Sequence, residues 1–459
     1  MNAQAEPPNG VPGVSSAQLK RAIDLRRSKL AKRLFNFGQR GSSQRRLPIA
    51  GALLGFLALL TSGCANLVVR DPVPEPLVAE ARIPGLGDVR YWGDEAPADV
   101  ANELRRHLRG ISKLAESPPE HGKPVVNYLA LSGGGDDGVF AAGLLAGWTE
   151  SGRRPRFEVV TGISAGALIA PFAFLGPAYD KELEAMWTGH TSSDLITPQP
   201  LAVLLGGSSL VDTQPLADLI AHYVNRRFLD AIAQEYRKGR LLLIGTTNLD
   251  AQRPVVWNMG EIALSSRPEA VTLFRQVLLA SASLPVAFPP MHIQVEAGGK
   301  VLDELHVDGG TTRKVFVAPL QLSLHSLDPL HTAPPLHRFY IVANSKLSPE
   351  WKPTGEDLVA IAQSSIASMN KSHLAGDLFR LYLLAKREGA EFNLAAIPSH
   401  FAQKPTELFD PSYMHALFRV GFAQGGSHWK KQPPELEVSL LPAYARRPRD
   451  AQTASSSAQ

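Results

Sequence analysis

Two stretches of sequence decide the fold: residues 125–138, VVNYLALSGGGDDG, and residues 157–168, FEVVTGISAGAL. Each begins as an apolar run rich in β-branched and aromatic residues, passes through a glycine-containing turn and enters a helical pattern. Two strand–turn–helix units in tandem are typical of a parallel α/β sheet. Further strands are predicted near 240–249, 254–259, 292–297, 300–310 and 338–344, and helices near 212–238, 268–280, 354–388 and 411–423.

The second turn contains a serine between two glycines. Gly162, Ser164 and Gly166 form a G-x-S-x-G pattern that follows the strand and opens the helix. Small neighbours allow a serine to occupy a tight, strained turn, with its hydroxyl exposed and the helix N-terminus behind it. The context therefore predicts a nucleophilic serine at position 164.

The first turn is a glycine-rich loop, with glycines at Gly133, Gly134, Gly135 and Gly138. Successive backbone N–H groups in such a loop are ready to bind an anion, either a phosphate or the oxyanion of acyl transfer. The same glycines satisfy G-x-G-x-x-G, the pattern of a dinucleotide-binding oxidoreductase, which is therefore one alternative. That fold needs an acidic residue at the end of the second strand to bind the ribose, whereas Glu158 lies at the start of the strand. A P-loop is excluded because no Gly-Lys-Ser/Thr follows.

A serine nucleophile needs a group that accepts its proton, and either a carboxylate or an imidazole can do this. Asp308 is a candidate, since it ends an alternating strand pattern and precedes Gly309 and Gly310. A carboxylate at a tight strand end beside two glycines is able to approach a hydroxyl closely.

The order and spacing of the three motifs resemble the patatin-like phospholipases. The resemblance rests on LSGGGDDGVFAAGLLAGW, TGISAGAL, VDGG and, at 278–290, LLASASLPVAFPP. It implies a patatin-like three-layer fold with the serine on a nucleophile elbow, and a lipid acyl hydrolase (phospholipase or esterase) that needs no metal or cofactor. It further implies Ser164 as nucleophile, Asp308 as its base and the amides of Gly133 to Gly135 as the oxyanion hole. The lipid ester is the implied substrate.

One position departs from the family pattern. The family commonly has Arg or Lys just before the last glycine of the loop, whereas this chain has Asp137. Two acids, Asp136 and Asp137, would oppose an anionic phosphate or oxyanion unless they are neutralised or turned to solvent. Two accounts stay open: the acids favour the first turn of the following helix, or they select the substrate.

Two rival hypotheses also remain open. A Ser-His-Asp α/β-hydrolase would take its histidine from those after Asp308: His325, His331, His337, His373, His400, His415 and His428. The short spacing between the glycine loop and Ser164 argues against it. A catalytically inactive lipid-binding lipoprotein is the second rival, and the intact motifs argue against that one.

The basic charge of the chain is confined to its N-terminal segment. Residues 1–46 carry ten basic and two acidic side chains, and the rest carries 37 basic and 41 acidic ones. The body is therefore mildly acidic, which argues against nucleic acid as a partner. The single cysteine excludes an intramolecular disulfide and zinc sites built on several thiolates.

That cysteine, Cys64, follows an uncharged apolar run at 47–62, directly after a basic segment. The run is short for a membrane-spanning helix and fits the h-region of a secretory signal. Small residues before Cys64 resemble the lipobox of bacterial lipoproteins, although Thr61 replaces the usual leucine. We expect lipidation at Cys64 and attachment to a membrane of the bacterial cell envelope. An uncleaved signal anchor in the inner membrane is the alternative.

These observations predict five regions along the chain. They are a basic n-region and lipoprotein-type signal at 1–63, a linker and capping segment at 64–124 with a helix near 98–116, a catalytic domain at 125–320, the C-terminal part of the α/β body at 321–431, and a loose tail at 432–459. An apolar segment at 195–210 is predicted to line an acyl channel or to form a core loop.

Overall fold

The computed structural model describes residues 70–95, 117–199, 209, 211–317, 324–325, 331, 333–351 and 353–433. The predicted signal segment with Cys64, the helix near 98–116, most of the apolar segment at 195–210 and the tail after 433 lie outside these described residues. The five region boundaries therefore stay predictions.

Twelve strands are present in the described ranges. They are β1 (Arg90–Trp92), β2 (Ser117–Glu120), β3 (Lys123–Leu131), β4 (Val159–Ile163), β5 (Thr197–Pro198), β6 (Val211–Asp212), β7 (Leu241–Asn248), β8 (Arg253–Asn258), β9 (Met291–Ala297), β10 (Lys300–Asp308), β11 (Leu336–Lys346) and β12 (Glu391–Ile397). The five strands predicted beyond the first two units correspond to β7, β8, β9, β10 and β11.

Ten α-helices accompany these strands in the same ranges. They are α1 (Val139–Glu150), α2 (Ala165–Leu175), α3 (Asp180–Thr188), α4 (Ser192–Leu195), α5 (Gln214–Tyr223), α6 (Arg226–Tyr236), α7 (Met259–Leu264), α8 (Pro268–Ala282), α9 (Leu358–Arg387) and α10 (Pro411–Gln424). None of these helices, within the part of the chain that is described, combines the length and apolarity needed to cross a bilayer.

Ten of the strands form one sheet, with a path of β1-β8-β7-β4-β3-β11-β12. The central pairs β7–β4, β4–β3, β3–β11 and β11–β12 are parallel. Antiparallel pairs flank them: β1 with β8, β8 with β7, and β10 with both β7 and β9. The predicted α/β fold with a central mostly parallel sheet is confirmed.

Helices cover both faces of the sheet, as the alternation of side chains along β3 shows. Leu129 and Leu131 belong to the core that includes residues of α1, α2, α8 and α10. Tyr128 and Ala130 point to the opposite face and join the core formed with α9. Successive side chains of a strand point to opposite faces, so the sheet is the middle of three layers. Burial on both faces explains why β3 reads as a continuous apolar run.

The helical stretch predicted near 212–238 is divided into α5 and α6. The division falls at Asn225, whose side-chain oxygen accepts the N–H of Phe228 at 3.2 Å and so caps a new helix. Asparagine is favoured at this capping position because its oxygen satisfies an otherwise unpaired amide. Apolar periodicity continued across the break, which is why the pattern did not reveal it.

Glycines bring α1 and α10 into backbone contact. A Cβ placed on Gly143 would lie 2.1 Å from the Phe418 carbonyl oxygen, and one on Gly147 would lie 2.0 Å from the Phe422 carbonyl oxygen. Gly421 on α10 has the same relation to the Phe140 carbonyl oxygen, at 2.2 Å. Both helices are thus held directly behind the glycine-rich loop that α1 follows.

We predict that Gly143→Ala destabilises the protein by about 2 kcal/mol, since the added methyl group forces the two helices apart. Gly376→Ala in α9 is the matched control, because apart from the local backbone of its own helix no atom lies within 4 Å of its Cβ position. This control is expected to stabilise by about 0.5 kcal/mol by improving helix propensity. Urea unfolding measures both changes, and equal effects of the two substitutions would contradict the packing argument.

Candidate functional site

Ser164 lies in a strained turn between β4 and α2. Its φ is 55° and its ψ is −125°, a combination that residues with side chains rarely adopt. Glycines make the turn possible: a Cβ on Gly162 would lie 2.4 Å from the Gly166 carbonyl oxygen, and one on Gly166 would lie 2.3 Å from the Leu131 carbonyl oxygen. The Ser164 carbonyl begins α2 by accepting the N–H of Ala167 at 2.8 Å. This geometry is a nucleophile elbow.

A second serine, Ser281 near the end of α8, supports the elbow through hydrogen bonds. The Ser164 backbone N–H donates to Ser281 Oγ at 3.0 Å, and Ser281 Oγ donates to the Gly245 carbonyl at 2.7 Å. Ser281 is fully buried. Its hydroxyl therefore satisfies an amide that a strained, buried turn would otherwise leave without a partner.

Strand β7 brings Asp308 beside Ser164. Gly245 of β7 pairs with Ile163 at the end of β4, and the next residue, Thr246, pairs with Asp308 at the end of β10. Because Gly245 and Thr246 are consecutive along β7, the ends of β4 and β10 that pair with them lie next to each other. Ser164, one residue beyond Ile163, faces the Asp308 carboxyl group there.

The Asp308 carboxyl group is buried, with 2% of its surface exposed. Burial raises the pKa of this carboxyl group above its usual value, and the positive charge of Lys314, the hydrogen bond from Ser164 and the amide of Gly310 limit that rise. The Gly310 N–H donates to Asp308 Oδ1 at 2.6 Å. A carboxylate oriented in this way at a serine hydroxyl has the geometry of a general base.

The glycine-rich loop lies on the other side of Ser164. A Cβ on Gly133 would lie 3.0 Å from the Ser164 Cβ, and one on Gly134 would lie 2.3 Å from the Asn344 carbonyl oxygen. Gly135 follows with a positive φ of 61°. Positions 134 and 135 favour glycine for reasons of space and backbone conformation, respectively, and position 133 leaves little room for a side chain. The structure thus places Gly133 next to Ser164, and Gly134 and Gly135 follow it in the same loop.

The amides of these glycines differ in what they bind. The Gly133 N–H donates to the Lys314 carbonyl at 3.2 Å. Within the described ranges, the amides of Gly134 and Gly135 have no acceptor, and both residues are exposed. Gly133 therefore anchors the loop, while the next two amides are the ones available to an oxyanion.

Asp136 and Asp137 bind elements at the back of the loop. The Tyr413 hydroxyl of α10 donates to Asp137 Oδ1, and the Phe409 N–H donates to Asp136 Oδ2 at 3.4 Å. Burial is the main cause that raises the pKa of Asp137 to about 7, with a further rise from the charge of Asp136, against the lowering effect of Tyr413. Asp137 ties the loop to α10 and Asp136 ties it to the segment just before α10, an account that neither of the sequence-based explanations contained.

The histidine nearest to Asp308 in sequence belongs to the core. His306 Nδ1 lies 3.0 Å from Thr246 Oγ1, and its Nε2 lies 3.0 Å from Glu304 Oε2. Although burial alone would raise it, the pKa of Glu304 is lowered to about 2 by Arg90 and His306. Both ring nitrogens are thus used in a buried network. No histidine of the described residues acts on Ser164 or Asp308.

The sequence did not assign roles to Ser281, Asn344 or Lys314. Ser281 lies in the quoted stretch LLASASLPVAFPP, so its position in a family motif was the available signal. Asn344 supports the loop from β11, with its N–H donating to Ser132 Oγ and its Nδ2 donating to the Ser132 carbonyl, both at 2.8 Å. Lys314 follows the Asp-Gly-Gly turn by four residues, and nothing in the local pattern marks it.

Comparison with known proteins agrees with this geometry. The family described as patatin-like phospholipase matches residues 129–320, which include the glycine loop, Ser164 and Asp308. The chain carries a patatin-like phospholipase domain. This family is one of lipid hydrolases, and the predicted fold with its serine at a nucleophile elbow is confirmed. The search of curated proteins found no significant match to this sequence.

Solved structures similar to this chain include VipD from Legionella pneumophila, with 13% identity, a TM-score of 0.32 and coverage of 69% of this chain and 70% of that one. Full-length ExoU of Pseudomonas aeruginosa, in complex with SpcU, has 14% identity, a TM-score of 0.28 and coverages of 69% and 53%. Human GIVD cytosolic phospholipase A2 has 12% identity, a TM-score of 0.29 and coverages of 71% and 56%. This chain thus spans about half the length of the last two.

We predict that Asp137→Asn removes a pH-dependent loss of folding stability that the buried Asp137 carboxyl group causes in the patatin-like domain. Because the pKa of Asp137 is raised from 3.8 to about 7, the wild type loses stability as the pH rises between these values, and the loss is complete above 7. The neutral isostere is expected to exceed wild-type stability by about 2 kcal/mol more at pH 8 than at pH 5. Urea unfolding at both pH values checks this, with the exposed Asp218→Asn as the control. A gain independent of pH would contradict the assignment.

Proposed function

We propose that this protein hydrolyses acyl esters of lipids through a Ser164–Asp308 dyad. One observation carries the proposal: a serine in a strained elbow faces a buried carboxylate and lies against Gly133 of a loop whose next two residues are exposed, with amides that have no acceptor among the described residues. Nucleophile, base and oxyanion donors are the three parts that acyl transfer requires. The family match supports the lipid as the substrate class.

In the first step, Asp308 accepts the proton of the Ser164 hydroxyl while Oγ forms a bond to the acyl carbon. The amides of Gly134 and Gly135 stabilise the negative charge that develops on the carbonyl oxygen. The tetrahedral intermediate then collapses, the bond to the leaving alcohol breaks, and Asp308 returns the proton to that alcohol.

In the second step, Asp308 takes a proton from water as the water oxygen attacks the acyl-enzyme. The bond between the acyl carbon and Ser164 Oγ breaks, the fatty acid leaves, and Ser164 regains its proton. One carboxylate thus serves as base in both halves of the cycle. This mechanism does not require a histidine, and none of the histidines in the described ranges acts on the dyad.

Apolar residues next to the dyad fit an acyl chain. Leu284 and Val286 are 37% and 64% exposed on the loop that follows α8. That loop is tied to the base, since the Asp308 N–H donates to the Ser283 carbonyl at 2.9 Å. Val286 has a φ of 73°, a strained conformation for a β-branched residue. Strain of this kind concentrates at functional sites.

We further propose that lipidation of Cys64 attaches the protein to a membrane of the bacterial envelope. The support is in the sequence: an apolar run at 47–62 behind a basic segment, with small residues before the cysteine. Each buried methylene of an acyl chain contributes about 0.8 kcal/mol, so two or more chains hold a protein on a bilayer. Such an anchor would keep the dyad close to a lipid substrate.

We predict that Ser164→Ala and Asp308→Asn each lower the rate of ester hydrolysis by about 1000-fold or more, since either change removes an essential part of the dyad. A panel of phospholipids, lysolipids and acylglycerols measures the activity. A fluorophosphonate probe should label the wild type at Ser164 and fail to label Ser164→Ala.

The matched control is Ser151→Ala at the far end of α1, which should keep full activity. Alanine at the exposed histidines His373, His400, His415 and His428 should also leave the rate unchanged. Retained turnover in folded Ser164→Ala would overturn the dyad, and a histidine-dependent rate would favour the α/β-hydrolase alternative. A folded wild type that neither hydrolyses esters nor reacts with the probe would favour the inactive lipoprotein.

Cys64→Ser is predicted to move the protein from the membrane fraction to the soluble fraction of bacteria that express it. The lost acyl chains remove most of the membrane affinity. Metabolic labelling with an alkyne fatty acid provides an independent readout, with incorporation expected in the wild type alone. A Cys64→Ser variant that stays in the membrane fraction would instead favour the uncleaved signal anchor.

A further inference from the structure

Lys314 brings a positive charge to the base of the dyad. Its position follows from Gly310: a Cβ placed there would lie 2.6 Å from Lys314 Nζ and 2.8 Å from Asp308 Oδ1. Lys314 Nζ and Asp308 Oδ1 are therefore both close to the position that a side chain at residue 310 would occupy. A side chain at position 310 would separate the two charges, so this glycine keeps them near each other.

The backbone of Lys314 is fixed from two sides. Its carbonyl accepts the Gly133 N–H at 3.2 Å, which attaches the residue to the glycine-rich loop. Its N–H donates to Asp377 Oδ2 of α9 at 2.7 Å. The residue is thus held between the loop and the layer behind the sheet, and its side chain extends toward the dyad.

The charged groups around the dyad come from three elements. Asp308 ends β10, Arg313 and Lys314 follow it, and Asp377 and Arg380 lie on α9. Asp377 is already engaged, since its Oδ1 accepts from Arg380 Nη1 at 3.0 Å and its Oδ2 accepts the Lys314 N–H. Within the described ranges, the Lys314 ammonium forms no ion pair of its own, and it is the charged group that acts on Asp308.

A base with the burial of Asp308 requires such a charge. Removing a carboxylate from water favours its protonated form, and a protonated Asp308 cannot accept the Ser164 proton. Burial also lowers the pKa of Lys314, while Asp308 and Asp377 raise it, so the two charges support each other. The acids Asp136 and Asp137 are bound at α10 and supply no positive charge.

We propose that Lys314 is a positioning residue whose ammonium holds Asp308 as a carboxylate, ready to act as the general base. This inference rests on the proposed dyad. Lys314 acts through Asp308 and is not required to touch the substrate.

The test is the pH profile of kcat/KM for Lys314→Met, measured with a neutral p-nitrophenyl ester that carries no phosphate. Without the ammonium, Asp308 stays protonated to a higher pH, so the acid limb should move up by about one pH unit. We expect about a 10-fold loss of kcat/KM on the acid limb and recovery toward the wild-type rate above it. Lys314→Arg keeps the charge and should restore the wild-type limb.

Lys238→Met, which removes an exposed lysine of a surface ion pair, is the matched control and should leave the profile unchanged. If Lys314→Met does not fold, as a thermal melt would show, Lys314→Gln gives the same comparison. An unshifted acid limb, or an equal loss at every pH, would overturn the inference while the dyad stands. An inactive wild type would instead overturn the proposed function itself.

Discussion

The site depends on two strands, β4 and β10, that pair one after the other along the same edge of β7. Gly245 pairs with the end of β4 and Thr246 pairs with the end of β10, so the serine and the aspartate meet without any loop between them. The Gly245 carbonyl also accepts the Ser281 hydroxyl that supports the elbow. A Cβ on Gly309 would lie 2.4 Å from that carbonyl, which explains why glycine follows the aspartate. A shift in the register of β7 would separate all of these groups.

Charge is distributed unevenly around this junction. On the side of α10, Asp136 and Asp137 bind Phe409 and Tyr413 and hold the glycine-rich loop in place. On the side of α9, Lys314 supplies a positive charge next to Asp308. The loop has Asp137 where the family commonly has a basic residue, and among the described residues it is Lys314 whose positive charge acts on the base.

Much of this could be predicted from the sequence. Both strand–turn–helix units, the order of the later strands and the elbow serine follow from short-range patterns, because strand and turn preferences act over a few residues. The division of the helix at Asn225 was missed, since apolar periodicity continued across it. The occupied amide of Gly133 was missed as well, because its acceptor, the Lys314 carbonyl, is distant in sequence.

The sequence by itself determined the local conformations: which turns need glycine, where the nucleophile lies and which carboxylate ends a strand. Tertiary structure alone decided which groups act on one another. Ser281 supports Ser164 across 117 residues, and Lys314 reaches Asp308 only because Gly310 leaves room for it. The physical reason is that burial and charge interactions depend on distance in space. A backbone turn is governed by its own neighbours, whereas the ionisation of Asp308 is governed by the packing of three layers around it.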